Sequence, residues 1–390
     1  MSDLPATFVK GFHDEECVRK MKYVKLGNTG LKVSQLSLGG GVFSPLYDEE
    51  EAIDTIITAI KQGINYIDTA PWYGQGSSET ILGKALSKVP REAYYIATKV
   101  GRYCLDYASM FNFSSDKTIS SVKTSLGYLG LEYVDIIQVH DIEFAPSLEM
   151  VLKETLPTLA KIKAEGKARF IGVTGYPLSV LKEAVENSPF PLDTILTYCR
   201  NTLIDNSVNE YVEYFQNKNV GIICACSHCM GLLTNNGPQA WHPAPKEVIE
   251  KCKEAANYCK ERGVELGKLA LCHAMEQKGV STHLVGMSNR KVLDYNMSVF
   301  FNGLTPREKE VLSEIKTNLD LNFVGLVMHL SAGGSLFQAL YPDIPKAQSP
   351  NLVLGLRLDS ISLLPVTDDV ADLRVDCLVQ VFSEAHSSEM

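Results

Sequence analysis

Short apolar runs alternate along the chain with longer segments in which apolar residues return every three or four positions. The runs fall at 35–38, 66–68, 94–99, 134–140, 169–173, 194–199, 220–225 and 282–285. Most read as strands buried on both faces, the pattern of a parallel sheet covered by helices. Between them, 50–62, 79–86, 116–129, 149–165 and 246–262 carry the period of amphipathic helices, and a second helical pattern at 266–276 precedes the last run. Strand-plus-helix units repeated in this way, with right-handed crossovers, close most economically into a (β/α)8 TIM barrel of the α/β class. An open doubly wound sheet is the alternative. Its phosphate-binding fingerprint needs a third glycine where "LGGGVFSP" has Ser44.

The same patterning divides the chain. Residues 1–20 form a polar extension, expected to be either a disordered arm or a strand closing the bottom of the barrel. Residues 21–317 carry the barrel, ending in "PREKEVLSEIKT", a helix with proline near its start. From 318 to 390 no clear periodicity remains, and this stretch reads as a divergent, poorly ordered tail.

In such barrels the chemistry comes from the carboxyl ends of the strands and the loops after them. Asp68 ends the second run, Tyr73 lies on its loop, Lys99 ends the third and His140 ends the fourth, so one rim collects all of them. Taken singly, each has an ordinary reading as a cap, turn or surface residue. Together they make a proton donor: a Lys ammonium favours the phenolate of a nearby Tyr and lowers its pKa from about 10, and an Asp fixes the ammonium. The His orients a carbonyl by hydrogen bonding, which completes the division of labour that hydride reduction requires.

Composition narrows the partners. A formal charge of −9 without any run of Lys and Arg excludes a nucleic-acid partner. The ten cysteines lack the spacing of a secreted scaffold and no apolar leader precedes them, which points to a cytoplasmic protein. The longest apolar stretch, 323–340, is broken by His329, Gly333 and Gly334 and is too short to span a membrane. Cys224, Cys226, His228 and Cys229 in "CACSHC" invite a zinc reading, but the separated pairs of a structural zinc site are missing, so no metal is expected. Trp72, Tyr103 and Trp241 sit on loops where they can line a substrate pocket.

The blocks "KLGNTGLKVSQLSLGGG", "GINYIDTAPWYGQGSSETILGKAL", "IATKVGR", "YVDIIQVHDIE" and "GKARFIGVTGYP" resemble the aldo-keto reductase family over roughly residues 22–316. The resemblance implies a catalytic tetrad of Asp68, Tyr73, Lys99 and His140 on a (β/α)8 barrel, with NAD or NADP as cofactor. The pieces "SSETILGKAL", "TYCRNTLID" and "MGLLT" are most similar to its aldose dehydrogenase branch. The implied substrate is an aldose or small aldehyde, with oxidation of an L-galactose-type sugar at C1 as the leading expectation.

By the same resemblance Thr174 and Gly175 hold the nicotinamide carboxamide and Tyr198 lies near the ring, while Ile195 stands where many members use Gln. Cys226, Gly231 and Leu232 belong to the loop that wraps the pyrophosphate. Gly40 and Gly286 lie at the cofactor side, and Ser288 and Asn296 match positions at the phosphate and adenine. Val292 stands where phosphate-preferring members place Arg, with Arg290 and Lys291 close enough to substitute, so NAD, NADP or both remain open. The unfamiliar tail leaves a second expectation beside the enzyme: a dinucleotide-binding regulatory or inactive barrel. Oligomeric state is not legible.

Overall fold

Eight short strands close the parallel barrel. β1 (Leu36–Gly39), β2 (Tyr66–Asp68), β3 (Tyr95–Val100), β4 (Val134–Val139), β5 (Ala168–Gly175), β6 (Thr194–Tyr198), β7 (Gly221–Ala225) and β8 (Thr282–Gly286) pair in chain order. β8 then returns to β1 with Gly286 beside Gly39. The computed structural model describes residues 4–44, 47–240, 242–318, 321 and 323. Trp241 and nearly all of the tail at 318–390 lie outside the described residues.

The strands read as apolar because both of their faces are covered. β4 is buried at every position. Outward-facing residues such as Ile67, Ile96 and Ile137 pack against the helices, whereas Tyr66, Ala97, Ile136, Leu196, Ile223 and Leu284 form a separate cluster inside the barrel. Leu26, Leu31 and Val33 join that inner cluster from below. They belong to an antiparallel hairpin, Tyr23–Lys25 with Lys32–Ser34, which precedes β1 and plugs the barrel bottom. Its turn runs so close to the start of β7 that a Cβ on Gly27 would fall 2.4 Å from the Gly221 nitrogen, at a φ of +52°. Only glycine fits that approach.

The N-terminal extension is neither a loose arm nor a strand. Glu15–Lys20 forms a helix capped by Asp14, whose side chain accepts from the Cys17 N–H. Acidic residues in its first turn pair with Arg19 and Lys20 in its last, complementing the helix dipole. Upstream, Thr7 is buried and accepts from Asn65 Nδ2 at 3.0 Å. Asn65 also accepts from the Ser34 N–H at 2.7 Å and donates to the Lys32 carbonyl at 2.9 Å, tying extension, hairpin and β2 together.

Candidate active site

Along the inner face of the barrel the residue type changes from apolar to polar toward the carboxyl ends. Tyr66 is followed two positions on by Asp68, Ala97 by Lys99, and Ile136 by Gln138 and His140, so the two-residue period carries each polar group to the same rim. Lys99 and Asp68 are both almost fully buried. The Lys99 ammonium donates to Asp68 Oδ1, to the Thr69 carbonyl at 2.8 Å and to Tyr73 Oη at 3.2 Å. Gln138 Nε2 donates to the other Asp68 oxygen at 2.8 Å. A buried ion pair survives desolvation only when its remaining lone pairs and protons are satisfied, and here they are.

Tyr73 opens a short turn, Tyr73–Gly76, between β2 and the helix Ser77–Leu86. Gly74 and Gln75 take φ values of 55° and 53° in it, and Ser77 Oγ donates to the Gly74 carbonyl at 2.6 Å. That tight turn folds the Tyr73 ring back over the barrel mouth, edge-on to His140 with ring centroids 5.8 Å apart. All four residues expected at the rim are therefore together.

The electrostatics differ from the sequence expectation in one respect. Burial raises the Tyr73 phenol above its ordinary value; Lys99 pulls it down, but by less. The net direction is upward, so the group is a firmly protonated phenol rather than an acid tuned toward neutrality. Burial pulls Lys99 down, while Asp68 and Tyr73 more than offset it and leave the ammonium charged. Burial, with Lys99 and Arg102 nearby, holds His140 far below the usual imidazole value. It is neutral and can donate one N–H. Its Nδ1 is buried without a partner among the described residues.

Sequence reasoning missed the supports of this cluster. Arg102 stacks 3.6 Å over the Trp72 ring and donates to Asp141 Oδ2 at 2.8 Å. Asp141 follows His140 at a φ of +49°, rare for a residue with a side chain, and its N–H donates to Thr174 Oγ1 at 2.9 Å. Glu143 accepts from the Tyr176 N–H at 2.8 Å, and burial and Asp141 push its carboxyl up to about 8. Gln138 was legible: it shares the strand period with His140 and is a polar residue in an apolar run.

Beside the tetrad a cleft runs outward between β1, β7 and β8, lined by Gly39, Gly41, Tyr198, Cys226, Leu284 and Gly286 among others. Of the expected cofactor residues, Tyr198, Cys226 and Gly286 face it, and Thr174 and Gly175 line the adjoining hollow above the tetrad. The others do not line it. Gly40 lies under the rim, where a Cβ would meet Ser78 Oγ at 2.8 Å, and its neighbours Gly39 and Gly41 face the cleft instead. Leu232 is a core side chain, and Gly231 turns the loop at a φ of +92°. Ser288 is buried, and Asn296 donates to the Val292 carbonyl of its own helix at 2.9 Å.

The loop aromatics are also redistributed. Trp72 and Tyr103 are packed, the latter accepting from the Gly101 N–H at 2.8 Å. The aromatic wall is built by Phe111, Phe144, Tyr176 and Tyr198, with successive centroids 4.8, 6.5 and 5.3 Å apart. His228 and His242 meet the carbonyls of Gly267 and Cys229 at 3.1 and 3.0 Å. Among the described residues no three His, Cys, Asp or Glu side chains converge to hold an ion, and no helix is long and apolar enough to cross a membrane.

The aldo/keto reductase family model matches residues 35–316. An L-galactose dehydrogenase of Arabidopsis thaliana is 41% identical over 309 residues, which cover 77% of this chain and 95% of that protein. A D-arabinose 1-dehydrogenase of Saccharomyces cerevisiae is 33% identical over 310 residues, covering 74% and 90%. Among solved structures, an aldo-keto reductase of Bacillus halodurans in its holo form aligns with a TM-score of 0.62 at 25% identity, over 76% of this chain and 96% of that one. Barrel, rim and family match agree over the same stretch of chain, and the protein belongs to the aldo/keto reductase family of oxidoreductases.

Proposed function

We propose that the protein is a nicotinamide-dependent aldose dehydrogenase whose leading substrate is L-galactose, oxidised at C1. The observation that carries this reading is the buried Lys99 ammonium, shared by Asp68, the Thr69 carbonyl and Tyr73 beside a neutral His140. The named relatives support the sugar specificity.

The residues present fit a dinucleotide. Gly39, Gly41 and Gly286 leave backbone exposed along the cleft, and the Tyr198 ring offers a flat wall. A Cβ on Gly175 would come within 2.7 Å of Glu143 Oε2, a buried oxygen without a partner among the described residues, so Gly175 keeps open a polar corner suited to an amide. Thr174, Gly175 and Glu143 would hold the carboxamide, Tyr198 the ring, and Cys226 and Gly286 the diphosphate side. A nicotinamide held there would supply the hydride chemistry. Tyr73 Oη takes the proton of the sugar hydroxyl in oxidation and returns it to a carbonyl oxygen in reduction. Lys99 stabilises the phenolate, Asp68 and Gln138 hold Lys99 in place, and the His140 N–H orients the substrate oxygen. The Tyr176 ring, which lines the hollow above the tetrad, suits the apolar face of a pyranose, leaving Arg102 and Asp141 for its hydroxyls.

The test is reduction of NAD by the purified chain with L-galactose, D-arabinose and a small aldehyde panel run in reverse. L-Galactose should give the highest kcat/KM; equal turnover of unrelated aldehydes, with none of sugars, would sink the aldose reading.

NAD is the expected partner. Arg290, which could reach a 2′-phosphate, already donates to Asp294 at 2.9 Å and lies 3.8 Å from Asp54. A 2′-phosphate would have to displace those carboxylates to gain the fork. NADH should therefore bind at least about tenfold tighter than NADPH, about 1.4 kcal/mol, and Asp294→Asn should narrow that gap. Equal titration curves for the two cofactors with the wild type would contradict this role of Arg290.

A further inference from the structure

Cys226 begins the stretch Cys-Ser-His-Cys at the carboxyl end of β7. Its φ is +67°, and Cys229, Met230 and Gly231 follow at +49°, +51° and +92°. Left-handed residues in such a run turn backbone N–H groups inward, the concave arrangement that binds anions. The group held here is a sulfur. The Met230 N–H donates to Cys226 Sγ at 3.2 Å, the Cys229 N–H donates to the Cys226 carbonyl at 3.0 Å, and Tyr198 and Cys199 lie near enough to act on the sulfur as donors.

Burial pushes the Cys226 thiol up, but these donors outweigh it and leave it below the ordinary cysteine value. Elsewhere burial wins: Cys17 and Cys272 are pushed up to about 11 and Cys259 to about 12. Cys226 is also half-buried and lines the cleft, so a small oxidant can reach it.

A second thiol is in place. The register pairs Tyr198 with Ala225 as the last residues of β6 and β7, and Cys199 and Cys226 follow them directly, both left-handed at φ values of +57° and +67°. The Cys199 N–H donates to the Ala225 carbonyl at 3.1 Å, and its thiol donates to the Cys226 carbonyl oxygen at 3.8 Å. Tyr198 and Ala225, each one residue before a cysteine, are one strand spacing of about 4.8 Å apart, and a disulfide spans a Cα separation of about 4.4–6.8 Å.

We propose that Cys226 is a peroxide-reactive thiolate whose sulfenic acid is resolved by Cys199, bridging the carboxyl ends of β6 and β7. The Cys226 sulfur attacks one peroxide oxygen: an S–O bond forms, the O–O bond breaks, and the departing hydroxide takes up a proton as water. Cys199 then attacks the sulfenic sulfur: the S–S bond forms, the S–O bond breaks, and hydroxide leaves as a second water with the Cys199 proton. Two thiols and one peroxide become one disulfide and two waters. The electron pair lost by the sulfurs reduces the peroxide.

The bridge lies beside Tyr198, so its effect on cofactor binding rests on the dinucleotide reading above. The test treats the full chain with hydrogen peroxide and maps cross-linked peptides without reduction. A dithiothreitol-reversible Cys199–Cys226 link is expected, and in Cys199→Ser, checked for folding by circular dichroism, dimedone should label Cys226. Oxidation confined to the exposed Cys104, a Cys226–Cys229 link, or no dimedone on Cys226 would overturn the proposal. Adding NADH before peroxide should slow the wild-type link several-fold. A link that forms at the same rate with saturating NADH overturns the placement of the cofactor over Cys226 and leaves the thiol pair standing.

Discussion

Tyr73→Phe should lower turnover in both directions by about three orders of magnitude, within the range of about 10²–10⁴ that a positioned acid or base contributes, while NADH affinity changes by no more than a few-fold. The substitution removes only the oxygen that accepts from Lys99 and leaves the ring in its edge-on contact with His140. Lys99→Met is a poorer probe, because it strands the buried Asp68 carboxylate with Gln138 as its one remaining side-chain donor, and breaking such a pair costs about 3–5 kcal/mol. The pH profiles sharpen the assignment. Burial raises the Tyr73 phenol despite Lys99, so the protonated form that carbonyl reduction requires is present throughout the neutral range and reduction should be flat there. Sugar oxidation requires the phenolate, a minor species below the pKa, so log kcat/KM should climb with pH by about one unit per unit. An oxidation plateau beginning near pH 7 would instead point to a group titrating at neutrality. It would contradict Tyr73 as the base, and His140, held neutral by its burial, would have to be reconsidered.

The meeting of Asp68, Tyr73, Lys99 and His140 at one rim could be read from the chain because the barrel rule works in one dimension: the last residue of each strand, and the loop just after it, face one rim. Asp68 does end β2, whereas β3 runs one residue past Lys99 and β4 stops one residue before His140, so the ends of the apolar runs placed these groups to within one residue. The hairpin at Tyr23–Ser34 escaped because each of its strands is three residues long, the first only partly covered and the second starting exposed, too short for a period to show. The cofactor positions carried by resemblance fared unevenly because matching a position does not fix where its side chain points. Asn296 lies on the expected helix but turns into it, and Leu232 lies on the expected loop but packs into the core. The Tyr73 shift was misjudged because charge partners can be counted in a sequence, whereas desolvation depends on how closely Trp72, His140 and the loop pack around the ring.

Stability should fall steeply as the pH drops from 6.5 toward 4. His228, His242, His273 and His283 are each pushed down to about 4 by burial, and His140 is held well below its ordinary value by burial with Lys99 and Arg102. Their surroundings require neutral rings: His273 Nδ1 lies 3.0 Å from the Lys316 ammonium, and His283 Nε2 accepts from Asn201 Nδ2 at 2.8 Å. Each folded-state pKa lies below the unfolded value of 6.5, so the unfolded chain binds more protons through that window. The stability they confer is fully present above pH 6.5 and drains away as the pH falls. Glu143, Glu79 and Asp141 act in the opposite sense, since burial raises their carboxyls and the folded state then holds the extra protons. The lowered imidazoles, His13 among them, outnumber these three carboxyls, so unfolding takes up protons through this window and stability falls as the pH falls. Urea unfolding at half-unit steps between pH 7 and 5 measures it directly, and a flat or rising stability toward pH 5 would refute the account. His283→Gln removes one titrating ring while keeping an acceptor for Asn201. It should flatten the slope by about one proton, about 1.4 kcal/mol per pH unit, even though it costs packing at every pH.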